Sequence, residues 1–169
     1  MTVEEAIVTA LAQEHRVRDH FRKAAEEAPK GEVQAFFALM TREEQGHVDY
    51  LEAKLTQWRE TGTVGETKLT TAVPRRDWLV AGEGSLRGSR PAAARAAPRD
   101  HLFVALELEH QVTEFYRRLV ESVDDPRASE LFRRFLEIED GHTALVQAEI
   151  DHETHTGVFF DVREFTLDG

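Results

Sequence analysis

Glu44-Gln45-Gly46-His47 interrupts a run that otherwise reads as the apolar face of a buried helix. At helical spacing Val33, Phe37, Met40, Glu44, His47, Leu51 and Leu55 share one stripe, so a carboxylate and an imidazole stand in the middle of a core-facing surface. The interruption recurs at Glu139-Asp140-Gly141-His142, inside the stripe Phe132, Phe135, Glu139, His142, Val146 and Ile150. Charges on a buried face must be neutralised, and a pair of metal ions is the leading means of doing it.

Upstream, Thr2-Val3-Glu4-Glu5 has the form of a capping box, and Ile7, Ala10, Leu11, Glu14, Val17 and Phe21 continue at helical spacing until Pro29-Lys30-Gly31. A second helix is expected from about Glu32 to about Arg59, giving a first hairpin over about 2–59. Residues of about 60–98 are rich in Gly, Pro, Ser and Arg, with one apolar knot at Trp78-Leu79-Val80. A structureless stretch that long either crosses the length of the protein or is partly helical; a crossover is expected, pinned to the bundle by Trp78. Asp100 is the expected N-cap of a third helix with the stripe Leu102, Ala105, Glu109, Val112, Tyr116, Leu119 and Val123. Asp125-Pro126 opens a fourth that runs to about His152, so the second hairpin covers about 99–153. The tail, 154–169, carries Val158-Phe159-Phe160 and Phe165 and is expected to lie along the outside of the bundle or against a second subunit.

The two halves are copies. Glu14 and Glu109, Glu44 and Glu139, and His47 and His142 are each 95 positions apart, and no gap is needed to align them. The same shift pairs Ala10 with Ala105, Val17 with Val112, Phe21 with Tyr116 and Gly46 with Gly141. Two helical hairpins, neither able to bury its apolar face alone, predict an all-α four-helix bundle in a single domain over 1–169. Glu14 precedes Gly31 by 17 residues and Glu44 follows it by 13, and Glu109 and Glu139 stand in the same relation to Pro126. At 1.5 Å of rise per residue all six polar residues then meet roughly 20–25 Å from the turns.

Composition restricts the partners. With 41% hydrophobic and 31% charged residues, and no apolar run long enough to span a bilayer, the chain predicts a cytoplasmic protein with no membrane partner. A formal charge of -11 argues against nucleic acid. The absence of cysteine excludes disulfides, zinc–thiolate sites and iron–sulfur clusters. Any metal must therefore be held by carboxylate and imidazole, which suit iron or manganese.

One Glu from each of two helices, with Glu-x-x-His from each of the other two, is the donor pattern of di-iron and di-manganese carboxylate bundles. Here it consists of Glu14, Glu109, Glu44/His47 and Glu139/His142. Four carboxylates balance two divalent ions. Each His is expected to bind one ion terminally, with Glu44 and Glu139 bridging, and two ions so placed can take O₂ or peroxide between them.

On these six residues, and on the Glu-x6-aromatic steps Glu14 to Phe21 and Glu109 to Tyr116, the chain resembles the rubrerythrin and ferritin-like superfamily. The resemblance spans both hairpins. It implies a ferritin-like bundle with two Fe ions, manganese or a mixed pair being the other options, and chemistry on peroxide or O₂. Rubrerythrins carry a further Glu where Val112 stands, and many carry a cysteine-ligated module for electrons, so this chain would need an external electron donor. Phe21 stands where a tyrosine is usual, which leaves Tyr116 as the hydroxyl expected near the cluster.

The remaining polar residues have plainer readings. Glu43, Glu107, Glu114 and Glu137 fall off the core stripes and are expected on solvated faces; His15 and His110 are expected at the surface, and His152 and His155 at a frayed helix end. Tyr50 is expected to pack. Three functions stay open: a di-iron oxidoreductase of peroxidase or ferroxidase type, an iron-binding, storage or delivery protein without significant turnover, and a bundle that keeps the residues as a metal-free polar core. A homodimer, expected from the irregular crossover and tail, would favour the first; a closed shell would favour the second.

Overall fold

The computed structural model describes the backbone of residues 1–83 and 96–153, and side chains over 1–80 and 99–152. The elements are α1 (Val3–Glu27), α2 (Glu32–Thr61), α3 (Arg76–Glu83), α4 (Ala96–Ser122) and α5 (Pro126–Glu153). Among the described residues every regular element is a helix, and none is long and apolar enough to cross a membrane. The four long helices form the bundle.

Local chemistry sets their ends. The Thr2 hydroxyl accepts from the Glu5 amide at 3.2 Å while the Glu5 carboxylate accepts from the Thr2 amide at 2.8 Å, which completes the capping box. At the end of α2, Gly62 takes the left-handed conformation with φ 69° and donates to the Trp58 carbonyl at 2.8 Å. The Asp125 carboxylate caps α5 by accepting from the Ala128 amide at 2.8 Å, and Pro126 follows at a position whose missing N–H costs nothing. Helix α4 begins at Ala96, four residues before the expected cap Asp100. Pro98 sits within its first turn, where amides have no intrahelical acceptor to lose.

The predicted stripes form the core. Phe21, Phe37, Met40, Leu51, Leu102, Val112, Tyr116, Leu119, Phe132 and Phe135 are all buried. Helices α1 and α2 pack as one hairpin and α4 and α5 as the other, with α1 meeting α4.

The crossover is partly helical, since it contains α3, and it differs from its expectation in its anchor, which is Leu79, 1% exposed, while Trp78 is 52% exposed. A helix sends neighbouring residues in different directions, so only one of that apolar pair can face the bundle. Before α3, the coil after Gly62 is laid along α2 and α5 by polar bonds. The buried Lys54 amine donates to the carbonyls of Val64 (2.7 Å) and Glu66 (2.6 Å), the Tyr50 hydroxyl accepts from the Lys68 amide (2.7 Å), and Arg134 donates to the Leu69 carbonyl (3.1 Å). Val64, Leu69 and Val73 are buried beneath it. The expected packing of the tail, and His155, lie outside the described residues.

Candidate metal centre

Glu14 from α1, Glu44 and His47 from α2, Glu109 from α4, and Glu139 and His142 from α5 are each at most 1% exposed. Six ionisable side chains thus lie in the middle of the apolar core, where the repeat and the helical period direct them. His47 and His142 stack face to face, with ring centroids 5.1 Å apart and planes inclined by 7°.

Their separations have a pattern. His47 Nδ1 lies 3.1 Å from Glu14 Oε2, 3.3 Å from Glu44 Oε2 and 3.1 Å from Glu139 Oε1. His142 Nδ1 lies 2.8 Å from Glu44 Oε1 and 3.5 Å from Glu139 Oε2. Each of Glu44 and Glu139 therefore turns one oxygen toward each imidazole. Glu14 stands on the His47 side and Glu109 beside Glu44, Glu139 and His142.

Hydrogen bonding does not account for this convergence. One imidazole N–H cannot serve three carboxylates, and the 2.8 Å approach of His142 Nδ1 to Glu44 lacks hydrogen-bond alignment. Both oxygens of Glu44, Glu109 and Glu139 are buried without a hydrogen-bond partner, at a desolvation cost of about 1–3 kcal/mol or more per group. Lone pairs that face a common centre in place of donors are what a metal site requires. Donor atoms of Glu44, His47, Glu139 and His142 lie within 4.8 Å of one another, so this group could hold a metal ion. The all-carboxylate-and-imidazole set fits iron or manganese.

Electrostatics divides the carboxyls into two classes. Burial, then the charge of Glu139, pushes Glu14 up to about 8 against the pull of His47. Burial, then Glu44 and Glu139, likewise raises Glu109 far above the usual carboxylate range. Burial also acts to raise Glu44, but the imidazolium charges of His47 and His142 outweigh it and hold that carboxyl well down. Glu139 is held down in the same way, against burial and the Glu44 charge, by His142 and His47. Burial opposes protonation of both imidazoles, and the carboxylates around them override it, so both are raised well above normal. Without metal these directions favour two carboxylates, two imidazolium ions and two protonated carboxyls, a set with no net charge.

Two groups complete the surroundings. The buried Tyr116 hydroxyl donates to Glu14 Oε1 and its ring stacks on Phe135 at 5.0 Å. Glu43, expected on a solvated face, is instead largely buried: its carboxylate accepts from the Thr71 hydroxyl at 2.5 Å and from the Ala72 amide at 3.2 Å, and lies 3.9 Å from His142 Nε2. Its partners sit in an aperiodic coil, so no helical spacing in the sequence could place it; only adjacency to Glu44 hinted at it. Glu107 and Glu114 are exposed as expected, and Glu137, half-buried, pairs with Arg134 and Arg75. His110 is exposed and His15 and His152 are half-buried.

A rubrerythrin family model matches residues 5–150. The chain belongs to the rubrerythrin family. That rubrerythrin match takes in both hairpins and the crossover between them; no curated protein and no solved structure matches the chain. Within this rubrerythrin framework Val112 is fully buried, so the position where family members carry a further Glu adds only an apolar contact here.

Proposed function

We propose that the protein is a non-haem di-iron member of its family that reacts Fe(II) with peroxide or O₂, in peroxidase or ferroxidase chemistry serving oxidative-stress defence or iron handling. The observation that carries this reading is the pairing of Glu44 and Glu139, each with one oxygen toward each imidazole Nδ1. In it Glu14, Glu44, His47, Glu109, Glu139 and His142 would hold two iron ions, with Glu44 and Glu139 between the two imidazoles, Glu14 on the His47 side and Glu109 on the His142 side. When bound, two Fe(II) ions supply the two electrons that, with two protons, reduce hydrogen peroxide to two waters. The protein keeps the centre dry, fixes the six donors on rigid helices, and holds Glu14 in orientation through the Tyr116 hydroxyl. Electrons return from an external donor, since the chain has no cysteine to carry an iron–sulfur or rubredoxin-type group. A homodimer in the cytoplasm completes the reading.

The test is anaerobic loading of the full chain with Fe(II), followed by rapid mixing with peroxide and, separately, with O₂. A near-ultraviolet absorbance change at two irons per chain, regenerated by added reductant over several turnovers, supports the enzyme. Iron taken up and retained without repeated turnover supports the alternative, an iron-binding, storage or delivery protein.

A further inference from the structure

The internal repeat makes the halves of the centre comparable residue by residue, and they are not equivalent. On the His142 side, the outer ring nitrogen faces Glu43 at 3.9 Å. The position 95 residues on from Glu43 is Ile138, buried and apolar, so His47 has no counterpart of that carboxylate, although neither outer ring nitrogen, His142 Nε2 or His47 Nε2, makes a hydrogen bond in the metal-free chain. The aromatic pair breaks the symmetry again. Tyr116 donates to Glu14, whereas its repeat counterpart is Phe21, and both oxygens of Glu109 are left without a hydrogen-bond partner.

We propose that Glu43 is a positioning residue that makes the His142 half of the centre the tighter of two metal sites, and that the crossover coil holds it there through Thr71 and Ala72. This inference rests on the two-metal reading above. A carboxylate behind a ligating imidazole fixes the ring with its N–H outward and makes the inner nitrogen a stronger donor. For His142 that inner nitrogen is Nδ1, already directed at Glu44 and Glu139. Glu43 is fixed from the far side by the Thr71 hydroxyl and the Ala72 amide, both in the coil before α3. Glu109 strengthens the bias, since with both oxygens uncommitted it can offer two donor atoms where Glu14 shares one with Tyr116. The sites therefore fill in order, the His142 side first, and the coil between the hairpins sets the gap between them.

Mn(II) titration of the metal-free full chain, by calorimetry and by the electron paramagnetic resonance of free ion, tests it without turnover. Two classes of site are expected, the tighter surviving His47→Ala and abolished by His142→Ala. Glu43→Gln keeps the side chain's shape and is expected to weaken the tighter class by about 10–100-fold while the other changes little. Thr71→Val, which leaves every ligand and Glu43 itself in place, is expected to move the same class in the same direction by less. A Glu43→Gln chain that binds two Mn(II) with unchanged affinities, or with both weakened equally, overturns the inference and leaves the two-metal reading standing. A wild-type chain that binds neither Mn(II) nor Fe(II) overturns that reading as well.

Discussion

Glu14 and Tyr116 show most directly how single residues carry the centre. The Tyr116 hydroxyl reaches a carboxyl that burial has raised to about 8, and no solvent is at hand to replace it. Tyr116→Phe is expected to destabilise the metal-free chain by about 1–3 kcal/mol, read as a shifted urea midpoint with unchanged slope. Titration gives a second outcome. From about pH 4.5 upward the folded metal-free chain keeps protons on Glu14 and Glu109 that an unfolded chain releases, and from about pH 6.5 on His47 and His142 as well, a window that reaches about pH 8 for Glu14, because all four are raised in the fold. Its stability should therefore fall as pH rises through that window, whereas the lowered Glu44 and Glu139 cost stability only on acidification. Metal binding must displace the same protons, so metal affinity should rise steeply with pH over the interval in which metal-free stability falls. Parallel thermal melts and Mn(II) titrations at several pH values check both signs.

At the scale of elements, the paired glycines Gly46 and Gly141 have opposite surroundings. A Cβ at Gly46 would meet nothing within 4 Å, while one at Gly141 would come within 3.0 Å of the Pro74 carbonyl in the crossover. Gly46→Ala is expected to stabilise by about 0.5–1 kcal/mol through helix propensity, and Gly141→Ala to forfeit that gain by pushing the coil outward. Lys54→Met removes the amine that ties down the Val64 and Glu66 carbonyls and is expected to expose the coil to limited proteolysis before the bundle unfolds. The helices and their stripes were legible in the sequence because a buried helix repeats every 3.6 residues and the duplication printed that period twice. Aperiodic features were not. The start of α4, the exposure of Trp78 beside buried Leu79, the burial of Lys54 and the role of Glu43 all depend on how one irregular segment crosses the helices.

For the whole molecule, duplication followed by divergence is the governing fact. The two copies supply matching sets of one Glu and one Glu-x-x-His, and the crossover that joins them breaks the match on one side only. Val8 and Phe103, again 95 positions apart, are both exposed apolar residues on α1 and α4. If they cover one another in the proposed homodimer, the double variant Val8→Glu/Phe103→Glu should sediment as a monomer where the unmodified chain sediments as a dimer. The proposed role of the core layer of four carboxyls and two imidazoles is to hold two cations. Metal counting on the full chain loaded anaerobically with Fe(II) and freed of excess tests it most directly. Two irons per chain are expected, with a marked loss in Glu44→Gln and Glu139→Gln chains that remain folded; a folded wild-type chain that retains no iron, or Glu44→Gln and Glu139→Gln chains that retain as much as wild type, would contradict that role.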